Sequence, residues 1–187
     1  MKHRVFIAIN LPEGVKKRLK LWQEAHDELP VRWTKEPSLH LTLVFIGYVS
    51  SEQVVEICRV ARETAQSFEP FEMNFDRIIF GPLGKNPPRM IWLTGEPNKQ
   101  LSELKTALED ALLNCDSGLS HVEKRSFKPH ITLARIQPDR WAQLTNSPAI
   151  NESFSARFDV NSIEVMESDL KHDGAEYAVM ESCELKT

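Results

Sequence analysis

The 187-residue sequence is short of the features that would mark several function classes. It has only three cysteines, at 58, 115 and 183, widely spaced and with no C-x-x-C pair. A disulfide framework or a thiolate zinc site is therefore not expected. Cys58, among Val54, Ile57 and Ala61, reads as a small buried apolar residue. No long apolar run is present, so no membrane span is expected. The apolar stretch Val5 to Ile9 is too short for a secretory leader and runs into Asn10-Leu11-Pro12-Glu13 without a small-residue cleavage site. A cytoplasmic location is the expectation. Excess positive charge is also missing. The net charge is −4, which argues against a protein that grips extended nucleic acid through many phosphates. The loop Gly81-Pro82-Leu83-Gly84-Lys85 contains Gly-Lys but not the G-x-x-x-x-G-K-[ST] spacing, so it is no ATP phosphate loop. No two histidines stand at H-x-H or H-x-x-x-H spacing, which weakens a metal centre.

What is present is ordinary globular composition, 41% hydrophobic and 27% charged, in alternating strand and helix patterns. Arg4 to Ile9 reads as a strand. Pro12 suits a helix start, and Val15, Leu19, Trp22 and Ala25 follow at helical spacing. Pro30 and Pro37 bracket a short extended piece, Arg32-Trp33-Thr34. Leu39 to Phe45 is a strand closed by Gly47. Ser50 with Gln53 is a capping box ahead of a helix bearing Val54, Ile57, Cys58, Ala61 and Ala65. Phe71 to Phe80 and Met90 to Thr94 are strands flanking the Gly/Pro loop. Pro97 opens a helix with Leu101, Leu104, Leu108, Ala111 and Leu112 on one face. Ile131 to Ile136 is a strand and 138–145 a short helix. Two last strands are expected near 157–166 and 175–182, around the turn-like Lys171-His172-Asp173-Gly174. No linker divides the chain. The two halves look alike, each leading a helix through a loop into a strand that begins near a histidine. Two lobes of antiparallel sheet with helices outside is the natural α+β reading, with 1–187 as a single two-lobed domain.

Those two histidines carry the chemistry. His40-Leu41-Thr42-Leu43 and His130-Ile131-Thr132-Leu133 are both H-x-T-x with apolar x. On a strand, residues two apart share a face. Each segment therefore offers an imidazole and a hydroxyl to one side and anchors itself by two apolar side chains on the other. One such copy is most simply a half-buried strand with polar residues facing solvent. Two copies in matching halves point to a paired site. Histidine titrates near neutrality, so one imidazole can act as base while its partner acts as acid. Threonine hydroxyls can donate to phosphoryl oxygens as charge grows on them.

At these residues the sequence resembles the RNA 2',3'-cyclic phosphodiesterase family, also called the 2'-5' RNA ligase family, within the two-histidine phosphoesterases. The likeness runs over nearly the whole chain. It includes Val5 to Ile9, Trp33 with Pro37, Leu39 to Leu43, Pro88-Arg89 with Ile91-Trp92-Leu93, Phe127, Pro129, His130 to Arg135, and Ile163 to Ser168. Asn10 stands where the family often has an acid, and Pro37-Ser38 replaces a common polar pair. The resemblance implies a bilobal fold with pseudo-twofold symmetry and a central catalytic cleft. It implies hydrolysis of RNA 2',3'-cyclic phosphate ends to 2'-phosphate ends, with a possible reverse joining through a 2'-5' bond. His40 would be the proton donor, His130 the acceptor, and Thr42 and Thr132 phosphate contacts. No cofactor, metal or ATP is implied, and the partners are RNA ends or cyclic-phosphate oligonucleotides, with the chain expected to act as a monomer.

Arg135 matches a family arginine expected near the phosphate, yet strict alternation places it on the face opposite His130. A twist or bulge would be needed to bring it round. The Lys/Arg at 124, 125, 128, 135 and 140 suit either an anionic substrate or a plain solvated surface. His3, His26, His121 and His172 read as surface residues, and Trp33, Trp92 and Phe127 as core packing before base stacking. The rival functions are the same chemistry on 2'-5' linked oligonucleotides or another cyclic phosphate, an RNA-end-binding module without catalysis, and a metallohydrolase.

Overall fold

A computed structural model describes residues 2–115, 127–146, 148–171 and 174–186. The elements, in chain order, are β1 (Lys2–Asn10), α1 (Glu13–Glu24), β2 (Val31–Trp33), a 3-10 turn (Glu36–Ser38), β3 (His40–Ser50) and α2 (Ser51–Ala65). Then follow β4 (Phe71–Gly81), β5 (Met90–Gly95), α3 (Lys99–Asn114), β6 (His130–Ile136), α4 (Pro138–Trp141), β7 (Asn151–Val160), β8 (Ser162–Lys171) and β9 (Gly174–Glu184). No helix among the described residues is long and apolar enough to cross a membrane.

The strands run β7-β4-β5-β6-β3-β1-β8-β9, with β2 attached to β6, and every pairing is antiparallel. The order divides at its middle into two sets of four, and β6, β5, β4, β7 answer to β3, β1, β8, β9 across the divide. The two sets are joined by one paired position, Leu41 with Ile131, both fully buried. Beyond that point β3 leaves β6, and β2 takes its place against residues 134–136. This is the pseudo-twofold α+β arrangement expected from the two similar halves.

The main core lies under α1, α2 and α3, where Val5, Ile7, Ile9, Leu41, Ile57, Leu93, Leu104, Leu108 and Ile131 meet. A second, small cluster of Phe6, Ala8 and Met166, with Phe45 and Tyr177 packed on it, forms on the opposite face of the sheet. Central β1 is thus apolar on both sides, which explains its unbroken Val5-Phe6-Ile7-Ala8-Ile9 run. The box at the start of α2 is formed as the sequence indicates. Ser50 Oγ accepts from Gln53 N–H at 3.3 Å, and the Gln53 side chain accepts from Ser50 N–H at 2.8 Å.

Several boundaries differ from the sequence reading; the short helix expected over 138–145 ends at Trp141. Gly47 does not close a strand, because β3 continues to Ser50 and Gly47 sits inside it at φ +95, beside a register shift that leaves Ile46 unpaired. The expected strand at 157–166 is two strands, broken at Asn161. β7 pairs with β4 in one half and β8 with β1 in the other, so the chain changes halves within a turn that carries neither glycine nor proline. Pro97 precedes α3 without entering it. Asn98 is the N-cap, its side chain accepting from Leu101 N–H at 2.8 Å.

Candidate active site

The two H-x-T-x segments open the two inner strands, β3 and β6. In each, the histidine and threonine are half-buried on one face, while Leu41, Leu43, Ile131 and Leu133 are buried on the other. Antiparallel pairing about Leu41 and Ile131 sets His40 across from Thr132 and His130 across from Thr42. All four line one small pocket of about 120 Å³, together with Thr34, Ser38, Arg135 and Tyr177.

Both strands carry a bulge at the same motif position. Along β1 and β3 the register steps from Ile7–Val44 to Ala8–Thr42, leaving Leu43 unpaired. Along β5 and β6 it steps from Ile91–Ala134 to Trp92–Thr132, leaving Leu133 unpaired. A bulge sends two successive side chains to one face. Leu43 with Val44, and Leu133 with Ala134, are accordingly both buried. The residue after each pair then returns to the pocket face. In β6 that residue is Arg135, which is how it joins the histidines despite an odd spacing from them. In β3 it is Phe45, over whose ring Arg4 lies at 4.7 Å.

The imidazoles are held alike. His40 Nδ1 lies 2.7 Å from the Ser38 carbonyl, and His130 Nδ1 lies 2.8 Å from the Lys128 carbonyl. A carbonyl can only accept, so Nδ1 carries the hydrogen in both rings and Nε2 is left to the pocket. His40 Nε2 also meets Thr42 Oγ1 at 2.9 Å. Aromatic rings fix the planes. Trp92 stacks on His130 with centroids 4.0 Å apart and an interplanar angle of 27°. Phe6 and Tyr177 each sit 5.0 Å from the His40 ring. Burial, the larger cause, pushes the His40 imidazole below its ordinary value of 6.5. The Ser38 carbonyl opposes this, and the charges of His130 and Lys16 add to it. Burial also pushes His130 down, against the opposing Lys128 carbonyl.

Beside this pocket lies a basin of about 310 Å³ that shares the Thr34, Ser38, Arg135 and Tyr177 walls. Its other lining residues include Arg4, Arg32, Trp33, Lys35 and Lys171. Tyr177, Thr34, Arg4 and Arg32 were not singled out from the sequence. Tyr177 arrives on the last strand, opposite Ser168, and no local pattern marks it. Trp33 packs edge-on to Trp22, as core, and also lines the basin. His3 and His26 are not simple surface residues. His3 bonds Glu167 at 2.8 Å, and His26 stacks on Trp22 and reaches Glu152 at 3.1 Å. His121, His172, Lys124 and Arg125 lie outside the described residues. Among the described residues no three His, Cys, Asp or Glu side chains come together as a metal-binding group.

Residues 11–172 match the 2'-5' RNA ligase superfamily. An RNA 2',3'-cyclic phosphodiesterase of Thermotoga maritima is 31% identical over 98% of this chain and 96% of its own length. One from Bacillus subtilis is 32% identical over 77% of this chain and 75% of its own. A crystal structure of a Thermus thermophilus protein superposes with a TM-score of 0.80 at 25% identity, covering 98% of each chain.

Proposed function

Because the chain belongs to the 2'-5' RNA ligase superfamily, we propose that it hydrolyses RNA 2',3'-cyclic phosphate ends to 2'-phosphate ends, with His40 and His130 as acid and base. The observation that carries this reading is the matched pair of imidazoles. Each has Nδ1–H spent on a carbonyl two residues back and Nε2 turned to one pocket from opposite halves of the sheet.

His130 Nε2 takes a proton from water as the water oxygen bonds to phosphorus. The P–O3' bond breaks, and His40 Nε2–H protonates the departing O3'. The phosphate stays on O2'. Thr42 and Thr132 hydroxyls donate to the non-bridging oxygens, and the Arg135 guanidinium opposes the charge that builds there. Burial lowers the pKa of His40, and the anionic substrate opposes that shift by favouring the charged form that serves as the acid. With a 5'-hydroxyl in place of water as the nucleophile, the same groups open the cyclic phosphate, break P–O3' and join two ends through a 2'-5' bond. That step draws on the cyclic phosphate itself, so neither ATP nor a metal is required of it. Cys58 and Cys183, which form no disulfide, fit a reducing, cytoplasmic setting, and the proposed chemistry is complete within one monomer spanning 1–187.

The test is incubation of a short RNA ending in a 2',3'-cyclic phosphate with the protein in EDTA, followed by identification of the product end. A 2'-phosphate is expected. A 3'-phosphate would show the ribose seated the other way round, and activity lost in EDTA and restored by zinc or magnesium would end the metal-free mechanism.

A further inference from the structure

The histidine pocket is smaller than the roughly 300 Å³ at which small-molecule sites begin. At about 120 Å³ it suits the reacting phosphate and little more. The rest of an RNA end must therefore leave through the shared Thr34–Ser38–Arg135–Tyr177 wall into the 310 Å³ basin. Among the described residues five cations line that basin, Arg4, Arg32, Lys35, Arg135 and Lys171, and no carboxylate does, although the whole chain is acidic at −4. Lys35 and Lys171 have acidic neighbours in Glu176 and Asp169. Arg4 donates to Ser168 Oγ at 2.8 Å.

Arg32 and Arg135 are different. They are directly opposite each other in the β2–β6 pairing, on one face. Neither guanidinium makes a hydrogen bond or ion pair among the described residues. Like charges directly opposite on a sheet are destabilising. Asp139 shares a neighbouring surface pocket with both arginines but makes no ion pair with either, and two arginines kept side by side in this way are suited to an anion placed between or before them. The scissile phosphate can engage Arg135 from the histidine pocket. It leaves Arg32, with Arg4 and the lysines, facing the basin.

Resting on the proposed activity, we infer that this basin binds a second phosphate of the substrate, the phosphodiester on the 5' side of the terminal nucleoside. The only anionic groups along an RNA strand are its phosphates, and this is the next one after the cyclic end. The protein then reads an end as two phosphates at a fixed separation. An oligonucleotide end is preferred over a free nucleoside cyclic phosphate.

The experiment compares kcat/KM for three substrates: adenosine 2',3'-cyclic phosphate, the same compound with a 5'-phosphate, and the dinucleotide ApA with a 2',3'-cyclic end. Wild-type protein is run against Arg32→Gln. The second phosphate should raise kcat/KM about ten- to a hundredfold, mainly through KM. Arg32→Gln should erase most of that ratio. The dependence of log kcat/KM on log salt for the dinucleotide should become shallower by about 0.7 for each phosphate no longer neutralised. Melting temperature should hold or rise, because the substitution removes a like-charge pair. A merely structural arginine would instead lower it. Equal kcat/KM with and without the 5'-phosphate, unchanged in Arg32→Gln, overturns the subsite while leaving the activity standing. If no end is hydrolysed, the activity fails, and the subsite is then judged by binding of fluorescent ApA bearing a 2'-phosphate. Weaker binding to Arg32→Gln supports the subsite, and equal binding overturns it.

Discussion

Gly81 lines neither the histidine pocket nor the basin beside it, yet its replacement by alanine should disable His130. A Cβ built at Gly81 would stand 2.1 Å from Trp92 Cδ2 and 2.3 Å from Cε3. Carbon atoms in contact prefer about 3.5–4.0 Å, so the indole must retreat by more than ~1 Å. It cannot do so freely, since its other face lies on the His130 ring at 4.0 Å. Gly81 is not among the residues at positive φ, so the backbone accepts alanine and the whole effect passes through the ring. Overpacking of this kind costs about 1–3 kcal/mol. At this chain length that is a fall of roughly 2–12 °C in melting temperature. A misplacement near 1 Å can cost about 100-fold in rate. Gly81→Ala, Trp92→Leu and the double variant should be compared by thermal melting and by kcat/KM on a cyclic-phosphate end. The double variant should be more stable than the sum of the single losses, because leucine vacates the space the Cβ needs. It should not regain wild-type rate, because nothing then stacks on His130. Wild-type melting and turnover in Gly81→Ala, or strict additivity in the double variant, would refute the reasoning.

His40→Ala and His130→Ala should each lower kcat by about 10²–10⁴ with the fold retained, and the double variant should be scarcely worse than either alone; near wild-type turnover in purified His130→Ala would contradict the assignment. Thr42→Ala and Thr132→Ala should be milder, each removing one donor among several. The profile of kcat/KM against pH should be a bell whose maximum lies below 6.5, because both imidazoles are pushed down from that value in the free protein, and a maximum above pH 7 would count against it. The same shifts act on stability. The unfolded histidines bind protons more readily than the folded ones, so the stabilisation is complete above 6.5 and is lost as pH falls through the lower folded values, and His40→Gln should flatten that loss in a series of melts.

The polar side of the site was legible because it obeys the strand repeat. His40 with Thr42, and His130 with Thr132, are two apart, and the apolar residues between them could only face the core. The bulges were not legible, since Leu43-Val44 and Leu133-Ala134 read equally well as continued strand. Alternation alone therefore put Arg135 on the wrong face. The β7–β8 turn was hidden for a similar reason, because Val160-Asn161-Ser162 has neither glycine nor proline and the alternation of β7 runs right up to it. Tyr177 reaches the site by meeting His40, and Arg32 by pairing with Arg135, contacts between segments distant in sequence that nothing local announces.

The bulge shared by β3 and β6 carries a further meaning. Two imidazoles with the same carbonyl tether and the same adjoining threonine are chemically interchangeable, so the motifs by themselves do not give the reaction a direction. A mirror-tolerant site would accept the cyclic phosphate in either orientation and release a mixture of isomers. The symmetry breaks one step later, where the twin bulges deliver Phe45 on one side and Arg135 on the other. It breaks again on the flanking strands, where Ala8 and Trp92 stand opposite the two threonines. Under the proposed chemistry, the choice between O2' and O3' is thus written in the neighbours of the histidines. A duplicated scaffold acquires handedness by changing the residues around its repeat and leaving the repeat itself alone.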